Sequence, residues 1–204
     1  MTSPFEPDYA TLLQLSQKAY DEHKEMTAFA AFPHDLKAQK FTPDLQPATD
    51  LFLSDKKLSS QIYTPLETII KKTAISMCWR EIYKAPPDTT HPEKYDFSKK
   101  FGCYSLIGND APFSSDLMRL FIVYMPANLI YPWHSHPAEE IYLMLSGEAI
   151  FKRQNYDDEK LGEGQTMFHQ SQIAHQIETK DKPMLALVAW RNHLDTPPIL
   201  LEEI

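Results

Sequence analysis

The stretch YPWHSHPAEEIYLMLSG, residues 131–147, decides how the rest of the chain is interpreted. It places His134, His136 and Glu140 in the order H-x-H-x3-E, and a further histidine, His175, lies downstream behind a glycine-containing turn. Three imidazoles and one carboxylate form a ligand set that suits a divalent transition metal with open coordination positions. The sequence therefore predicts a metal centre built from these four side chains.

The spacing of the first three ligands is typical of a β-strand followed by a bend. His134 and His136 are two residues apart, and alternate side chains of a strand share a face, so both imidazoles are expected to point into one cavity. Glu140 follows past Pro137, where a bend can bring its carboxylate to the same metal. Structural zinc sites are usually closed by cysteines, so ligands drawn from two hairpins favour a catalytic site.

Two points about the metal stay open at this level. His169 lies near His175 and is expected at the surface or in a supporting position, with the alternative that it is the ligand instead. Mixed imidazole and carboxylate ligands suit Fe, Zn, Mn, Co or Ni, and coordination geometry decides between them.

Composition bounds the class of protein. The chain has 204 residues, 43% hydrophobic content and a formal net charge of −8, which argues against a nucleic-acid partner. No apolar run approaches the length that spans a bilayer, and the start MTSPFEPDYA lacks the features of a signal peptide, so a cytoplasmic location is expected. Cys78 and Cys103 lie far apart and are expected to be buried thiols without a disulfide.

The first part of the chain has helical periodicity. Residues 9–26 carry apolar side chains at nearly helical spacing, with Asp8 as the N-cap. A longer helix is predicted within 58–83, with its start near Thr64 because proline is favoured in a first turn. The apolar face of this longer helix is expected to contain Ile62, Leu66, Ile69, Ile70, Ala74, Ile75 and Cys78.

The spacing of apolar residues changes after a proline-rich segment. Residues 85–96 contain three prolines and are predicted to form a linker loop. The runs that follow are short, apolar or alternating, and separated by turn residues, as in an antiparallel sandwich or barrel: CYSLIG, LMRLFIVYMP, EEIYLMLSGEAIFKR, GQTMFHQ, AHQIET and MLALVAWR. The predicted fold is α+β and mostly β, with a helical region at 1–84 and a barrel at 97–204.

The two groups of ligands resemble the two motifs of the cupin superfamily. The first cupin motif is G-x5-H-x-H-x3,4-E-x6-G, and this chain has Asn128 where the leading glycine is expected and Gly147 at the end. The second is G-x5-P-x-G-x2-H-x3-N, which Gly164 and His175 match. The Pro, Gly and Asn of the second motif are replaced by Gln170, Gln172 and Thr179. The resemblance implies a single double-stranded β-helix barrel with altered turns.

A closer resemblance lies inside the first motif. YPWHSHPAEEIY is similar to the motif of the cupin-type dimethylsulfoniopropionate lyases and their lyase-like relatives, in which one tyrosine stands three residues before the first histidine and another two residues after the glutamate. Those tyrosines are Tyr131 and Tyr142 in this chain. The resemblance covers the barrel half by motif and the helical half by general layout. It implies β-elimination of dimethylsulfoniopropionate, a small sulfonium zwitterion, to dimethyl sulfide and acrylate.

Roles follow from that reaction. Tyr142 is expected to take the proton as a base, since a nearby metal favours the phenolate, and Tyr131 to orient the substrate carboxylate or assist the proton transfer. Aromatic faces attract soft cations, so Trp133, Trp190 and Tyr131 are candidates for binding the substrate. In the alternative interpretation Tyr142 and Trp190 are core aromatic residues and Trp133 faces outward.

Three other functions stay open. The chain could be a lyase-like cupin that acts on another small carboxylate, an iron-dependent cupin dioxygenase that does not need Tyr142, or a non-catalytic cupin that only binds a metal or ligand. The helical region could cover one end of the barrel, supply a lid or form a homodimer interface.

Overall fold

Four α-helices form the N-terminal part of the chain in the computed structural model, which describes residues 8–201. They are α1 (Tyr9–Asp21), α2 (Lys24–Phe29), α3 (Pro47–Ser54) and α4 (Thr64–Thr73), with a 3-10 turn at Ala74–Ser76. Within the described range, every helix is too short or too polar to cross a lipid bilayer. The first seven residues of the segment MTSPFEPDYA lie outside the described residues.

Helix α1 begins as the sequence predicts and ends earlier. The Asp8 side chain accepts a hydrogen bond from the backbone N–H of Thr11 at 2.9 Å and so caps the helix. The prediction of one helix over 9–26 is wrong, because the backbone of His23 is extended and separates α1 from α2. The His23 imidazole is held there by a hydrogen bond with the hydroxyl of Tyr63.

Helix α4 begins at Thr64 as predicted, with a proline in its first turn, but ends at Thr73 instead of continuing to residue 83. Beyond the 3-10 turn the chain becomes extended and joins the sheet, where Trp79 pairs with Tyr104. The Trp79 indole donates a hydrogen bond to the carbonyl of Ala74 at 2.8 Å. Pairing with the sheet therefore overrides the helical periodicity of this segment.

The predicted apolar face of this helix is correct in its middle and wrong at both ends. Ile62 and Ile75 are 62% and 53% exposed. Cys78 is half-buried, whereas Cys103 is buried as expected, and both thiols are free among the residues described. The buried members of the predicted face are Leu66, Ile69, Ile70 and Ala74.

The rest of the described chain is mainly β-structure, apart from a 3-10 segment at Pro92–Lys99 that overlaps the predicted linker. The strands are β1 (Lys37–Ala38), β2 (Gly102–Ile107), β3 (Phe113–Ser114), β4 (Arg119–Met125), β5 (Ile130–Ser135), β6 (Glu139–Arg153), β7 (Glu159–Gly162), β8 (Thr166–His169), β9 (His175–Glu178), β10 (Met184–Arg191) and β11 (Ile199–Leu200). Their order in the sheet is β1-β3-β2-β4-β10-β6-β9-β5-β11, with β7 and β8 both paired to β6.

The 15-residue strand β6 belongs to both halves of this sheet. Its first part pairs with β10 and β8, and its second part pairs with β7 and β9. The change occurs at Gly147, which has φ of 76°. A Cβ there would lie 1.8 Å from the carbonyl oxygen of Pro183, so the position requires glycine. The predicted fold, helices followed by a single cupin barrel, is confirmed.

Both faces of the central strands are buried. On β6, Ile141 and Leu143 pack in the same core as Leu12 of α1 and Leu66 of α4, on the outer face of the sheet. Tyr142, which lies between them, belongs to a separate core inside the barrel. The N-terminal helices thus cover one outer face of the barrel.

The replaced motif positions keep the backbone geometry of glycine. Asn128 and Gln172, which stand where the cupin motifs have glycine, have φ of 60° and 64°. Thr179, which stands in place of asparagine, donates to the carbonyl of Pro126 at 2.6 Å and accepts from the N–H of Leu129 at 3.0 Å. These substitutions therefore preserve the turns that lead to the ligand strands.

The bend at Gly147 gives a prediction about stability. We expect Gly147→Ala to lower the free energy of unfolding by at least about 2 kcal/mol, because the left-handed backbone and the contact with Pro183 both oppose a methyl group. Gly162→Ala is the matched control, since its Cβ would have only ordinary contacts at 3.9 Å. Urea unfolding of both variants measures the difference, and equal stabilities would contradict the role given to Gly147.

Candidate metal centre

Three strands, β5, β6 and β9, bring the predicted ligands together, with His136 just after the end of β5. His134 on β5 lies opposite His175 on β9. Glu140 at the start of β6 lies between His169 on β8 and Trp190 on β10. All the ligand candidates are buried. The site is therefore inside the barrel, between the two halves of the sheet.

Backbone carbonyls fix the orientation of three imidazoles. The contacts of their Nδ1 atoms are His134 with Pro132 at 2.7 Å, His136 with Ala138 at 2.8 Å and His175 with Ile173 at 2.9 Å. Because a carbonyl oxygen only accepts hydrogen bonds, each Nδ1 carries the proton and each Nε2 keeps its lone pair. This is the arrangement of metal-binding histidines, whose second nitrogen donates to a fixed oxygen.

The lone pairs converge on a carboxylate. The Nε2 atoms of His136 and His175 lie 3.5 Å and 3.4 Å from Oε2 of Glu140. These two Nε2 atoms, and that of His169, are buried and have no hydrogen-bond partner within residues 8–201. Buried nitrogen lone pairs that converge on an anionic oxygen form a donor set for a cation, so the residues fit a divalent metal.

The donor atoms form two overlapping groups. His134, His136 and His175 make one group, and Glu140, His169 and His175 make the other, with the donor atoms of each group within 4.8 Å of one another. The structure thus brings together all four predicted ligands and adds His169. Of the positions that the sequence allows for His169, the surface is wrong, because the side chain is fully buried, and the supporting position stays a prediction. Met167 lies two residues earlier on the same strand and points inward, so the spacing indicates that His169 also points inward.

Charge and burial oppose each other at the centre. Burial alone would raise the pKa of Glu140, but the nearby histidines, with His136 foremost, hold it well below its usual range. Burial lowers the pKa of His134 far below its usual value, and burial together with the neighbouring His175 lowers the pKa of His169 to about 3. The site therefore contains an anionic carboxylate and the neutral imidazoles of His134 and His169. Burial opposes the charged form of His136, but the Glu140 carboxylate raises the pKa of that imidazole above its usual value.

Two buried tyrosines stand beside the donors. Tyr142 follows Glu140 by two residues on β6, and burial, with the Glu140 carboxylate adding to it, raises the pKa of its phenol well above the ordinary value. The ring of Tyr131 stacks on His134 with centroids 3.9 Å apart and a 25° angle. The Tyr131 hydroxyl lies 3.2 Å from that of Tyr83.

A cavity of about 460 Å³ opens beside these groups. Its wall includes Tyr131, Glu140, Tyr142 and Trp190. The sequence did not single out Phe121, an inward residue of β4 that also lines the cavity. Further apolar wall residues are Phe101, Val123 and Val188. The cavity therefore places one carboxylate ligand and both tyrosines beside an apolar patch, in a wall that also includes charged side chains such as Arg80 and Lys84.

The two candidate tryptophans differ in position. Trp190 donates its indole N–H to Oε1 of Glu140 at 2.6 Å, and its ring lies 4.4 Å from that of His136. It is thus part of the cavity wall and not a core residue. Trp133 is half-buried and lies outside the cavity lining as far as the described residues define it. The structure gives no support to a substrate contact by Trp133.

Comparison with known proteins gives a consistent result. Residues 27–186 match the family model described as dimethylsulfoniopropionate lyase. The chain is 37% identical over 195 residues to dimethylsulfoniopropionate lyase DddQ of Ruegeria pomeroyi, covering 96% of this chain and 94% of that protein. The crystal structure of DddQ from Ruegeria pomeroyi matches with a TM-score of 0.88, covering 96% of this chain and 97% of that chain at 37% identity. A structure described as that of the lyases RdDddP and RnDddQII has a TM-score of 0.84 and 30% identity, covering 95% of this chain and 97% of that chain.

The geometry predicts which histidines hold a metal. We expect His136→Ala to lower the affinity for Co²⁺ or Zn²⁺ at least about 100-fold, because it removes one of the converging lone pairs. Metal content after dialysis, measured by mass spectrometry, checks this. His91→Ala, which removes an exposed imidazole paired with Glu93, is the control and should leave the content unchanged. Full metal content in His136→Ala would rule out the site described here.

Proposed function

The chain belongs to the dimethylsulfoniopropionate lyase family, and we propose that it is a carbon–sulfur lyase that cleaves dimethylsulfoniopropionate to dimethyl sulfide and acrylate. The resemblance seen in the sequence motif is confirmed by the match to DddQ over nearly the whole length of both chains. Catalysis proceeds by β-elimination with a tyrosine as the base.

The observation that carries this proposal is the position of Tyr142. Its side chain is buried in the wall of the cavity, two residues from Glu140 and on the same face of β6. A phenol beside a cluster of metal donors has the two properties that a base in this reaction needs. It faces the substrate space, and its charged form is favoured by a nearby cation.

The elimination needs one proton transfer and one bond cleavage. The Tyr142 oxygen takes the proton from the carbon next to the substrate carboxylate. The electrons of that C–H bond form the double bond of acrylate, and those of the C–S bond leave with sulfur as neutral dimethyl sulfide. The proton stays on Tyr142 and must be released before the next turnover.

The donor cluster is proposed to hold one divalent ion through His134, His136, Glu140 and His175. Such an ion acts as a Lewis acid that increases the acidity of the α-carbon and favours the tyrosinate. Fe, Zn, Mn, Co and Ni all suit these ligands. The orphaned Nε2 atoms support the binding of a metal without selecting one of these.

The remaining walls have roles in orientation. Tyr131 is proposed to direct its hydroxyl to the substrate carboxylate or to assist the proton transfer, because its stacking on His134 and its contact with Tyr83 hold the ring in place. Trp190 and Phe121 meet edge to face with centroids 5.3 Å apart. These two aromatic faces line the cavity and suit a sulfonium cation.

Location and assembly complete the proposal. A cytoplasmic location and a homodimer stay predictions from the sequence. The boundaries of the helical region at residue 84 and of the linker at residue 96 also stay predictions. The backbone N–H of Arg80, which belongs to the predicted helical region, donates to the carbonyl of Cys103 on β2.

Removal of the base gives a direct test. We expect Tyr142→Phe to lower dimethyl sulfide release at least about 1,000-fold while the bound metal is unchanged, because the variant lacks only the oxygen that takes the proton. Headspace gas chromatography with metal-loaded protein and dimethylsulfoniopropionate measures the release, and mass spectrometry measures the metal.

Tyr104→Phe is the matched control for this variant. Tyr104 is also fully buried, but on the helix-covered face of β2, and its hydroxyl has no partner within the described part of the chain. Its removal should leave the release rate unchanged. Full activity in Tyr142→Phe would exclude Tyr142 as the base, and silence of the metal-loaded wild type would move the search to other small carboxylates.

A further inference from the structure

The carboxylate of Glu140 is held from two sides. Trp190 on β10 donates its indole N–H to Oε1 at 2.6 Å. His169 on β8 lies with Nδ1 3.0 Å from Oε2. Both partners stand directly opposite Glu140 in the sheet, one on each neighbouring strand. Each oxygen of the carboxylate therefore has its own donor, and neither donor comes from the strand that carries Glu140.

The hydrogen bond decides the state of the His169 ring. An ionised carboxylate only accepts hydrogen bonds, so Nδ1 of His169 carries the proton that lies between it and Oε2. The Nε2 atom of His169 keeps its lone pair, as in the other three histidines. What distinguishes His169 is that its Nδ1 proton goes to the carboxylate of a ligand and not to a backbone carbonyl. The N–H of His169 therefore acts on the orientation of Glu140.

Packing holds the ring in this orientation. The His169 side chain is completely buried, with ring centroids 4.0 Å from His175, 5.6 Å from Tyr142 and 6.1 Å from Phe151. These neighbours are a ligand candidate, the proposed base and a core phenylalanine. These neighbours hold the ring beside the carboxylate.

We propose that His169 is a positioning residue, which aims the Glu140 carboxylate at the metal and is not itself a ligand. It acts together with Trp190, so that the carboxylate keeps one orientation while Oε2 faces the lone pairs of His136 and His175. The proposal rests on the metal-dependent function proposed above and specifies how that site is kept in shape. Nothing in the cupin motifs requires a histidine at this position.

Two substitutions separate the possible roles of His169. His169→Asn keeps an N–H donor close to the position of Nδ1, since both atoms are bonded to Cγ. His169→Leu fills the space without a donor. Each protein is stripped of metal and titrated with Co²⁺ against a chelator of known affinity, and the visible absorption of the bound Co²⁺ reports the ligand geometry.

We expect His169→Leu to weaken Co²⁺ binding about 10- to 100-fold and to change the absorption bands, because loss of such a supporting hydrogen bond has an effect of this size. His169→Asn should bind Co²⁺ within about 3-fold of the wild type and keep its spectrum. His34→Asn, at an exposed histidine, controls for loss of a surface imidazole.

Two outcomes would overturn the proposal. If His169→Leu binds Co²⁺ like the wild type, the histidine has only a packing role. If His169→Asn loses as much affinity as His169→Leu and shows an altered spectrum, the imidazole is a ligand. Should His169→Leu fail to fold, Trp190→Phe removes the other donor to Glu140 and must weaken Co²⁺ binding in the same way. None of these measurements uses turnover, so the proposal can fail while the lyase function stands.

Discussion

The passage of one strand through two sheets is the constraint on which the rest of the barrel depends. Strand β6 can change partners at Gly147 because the backbone there is left-handed and lies against Pro183 without room for a side chain. The first part of the strand carries Glu140 and Tyr142, and the second part pairs with the strand of His175. The bend at Gly147 therefore lies between the part of β6 that carries Glu140 and the part that pairs with the strand of His175. A change at this position would affect the fold and the site together.

Burial of a carboxylate is the second constraint, and it explains why the site is surrounded by donors. An unpaired buried anion costs several kcal/mol, and Glu140 offsets this cost with the N–H groups of His169 and Trp190. These groups come from different strands. Removal of one partner leaves the charge in place, so the site is sensitive to changes that do not touch a ligand.

The sequence predicts the barrel better than the helices, for a physical reason. The short apolar or alternating runs that were assigned to the barrel correspond to β2, β4, β6, β8, β9 and β10, because a strand that is buried on both faces is a short apolar run between turn residues. The helix predicted up to residue 83 ends at Thr73, since pairing of Trp79 with the sheet is a long-range contact that local periodicity does not contain. The partner of His169 was not predicted for the same reason, because Glu140 lies 29 positions away. The motif expects glycine at position 172, so it also did not predict that Gln172 adopts a left-handed backbone conformation.

Because both faces of the sheet are buried, one strand carries two sets of residues under different constraints. In the first part of β6, odd-numbered positions such as Ile141 and Leu143 pack against the helical layer, and even-numbered positions such as Glu140 and Tyr142 line the cavity. Substitution of inward residues of β4 or β10 could therefore change the substrate without changing the contacts between the barrel and the helices. A shift of one residue in the first part of β6 would exchange these two sets of positions, because successive side chains of a strand point to opposite faces.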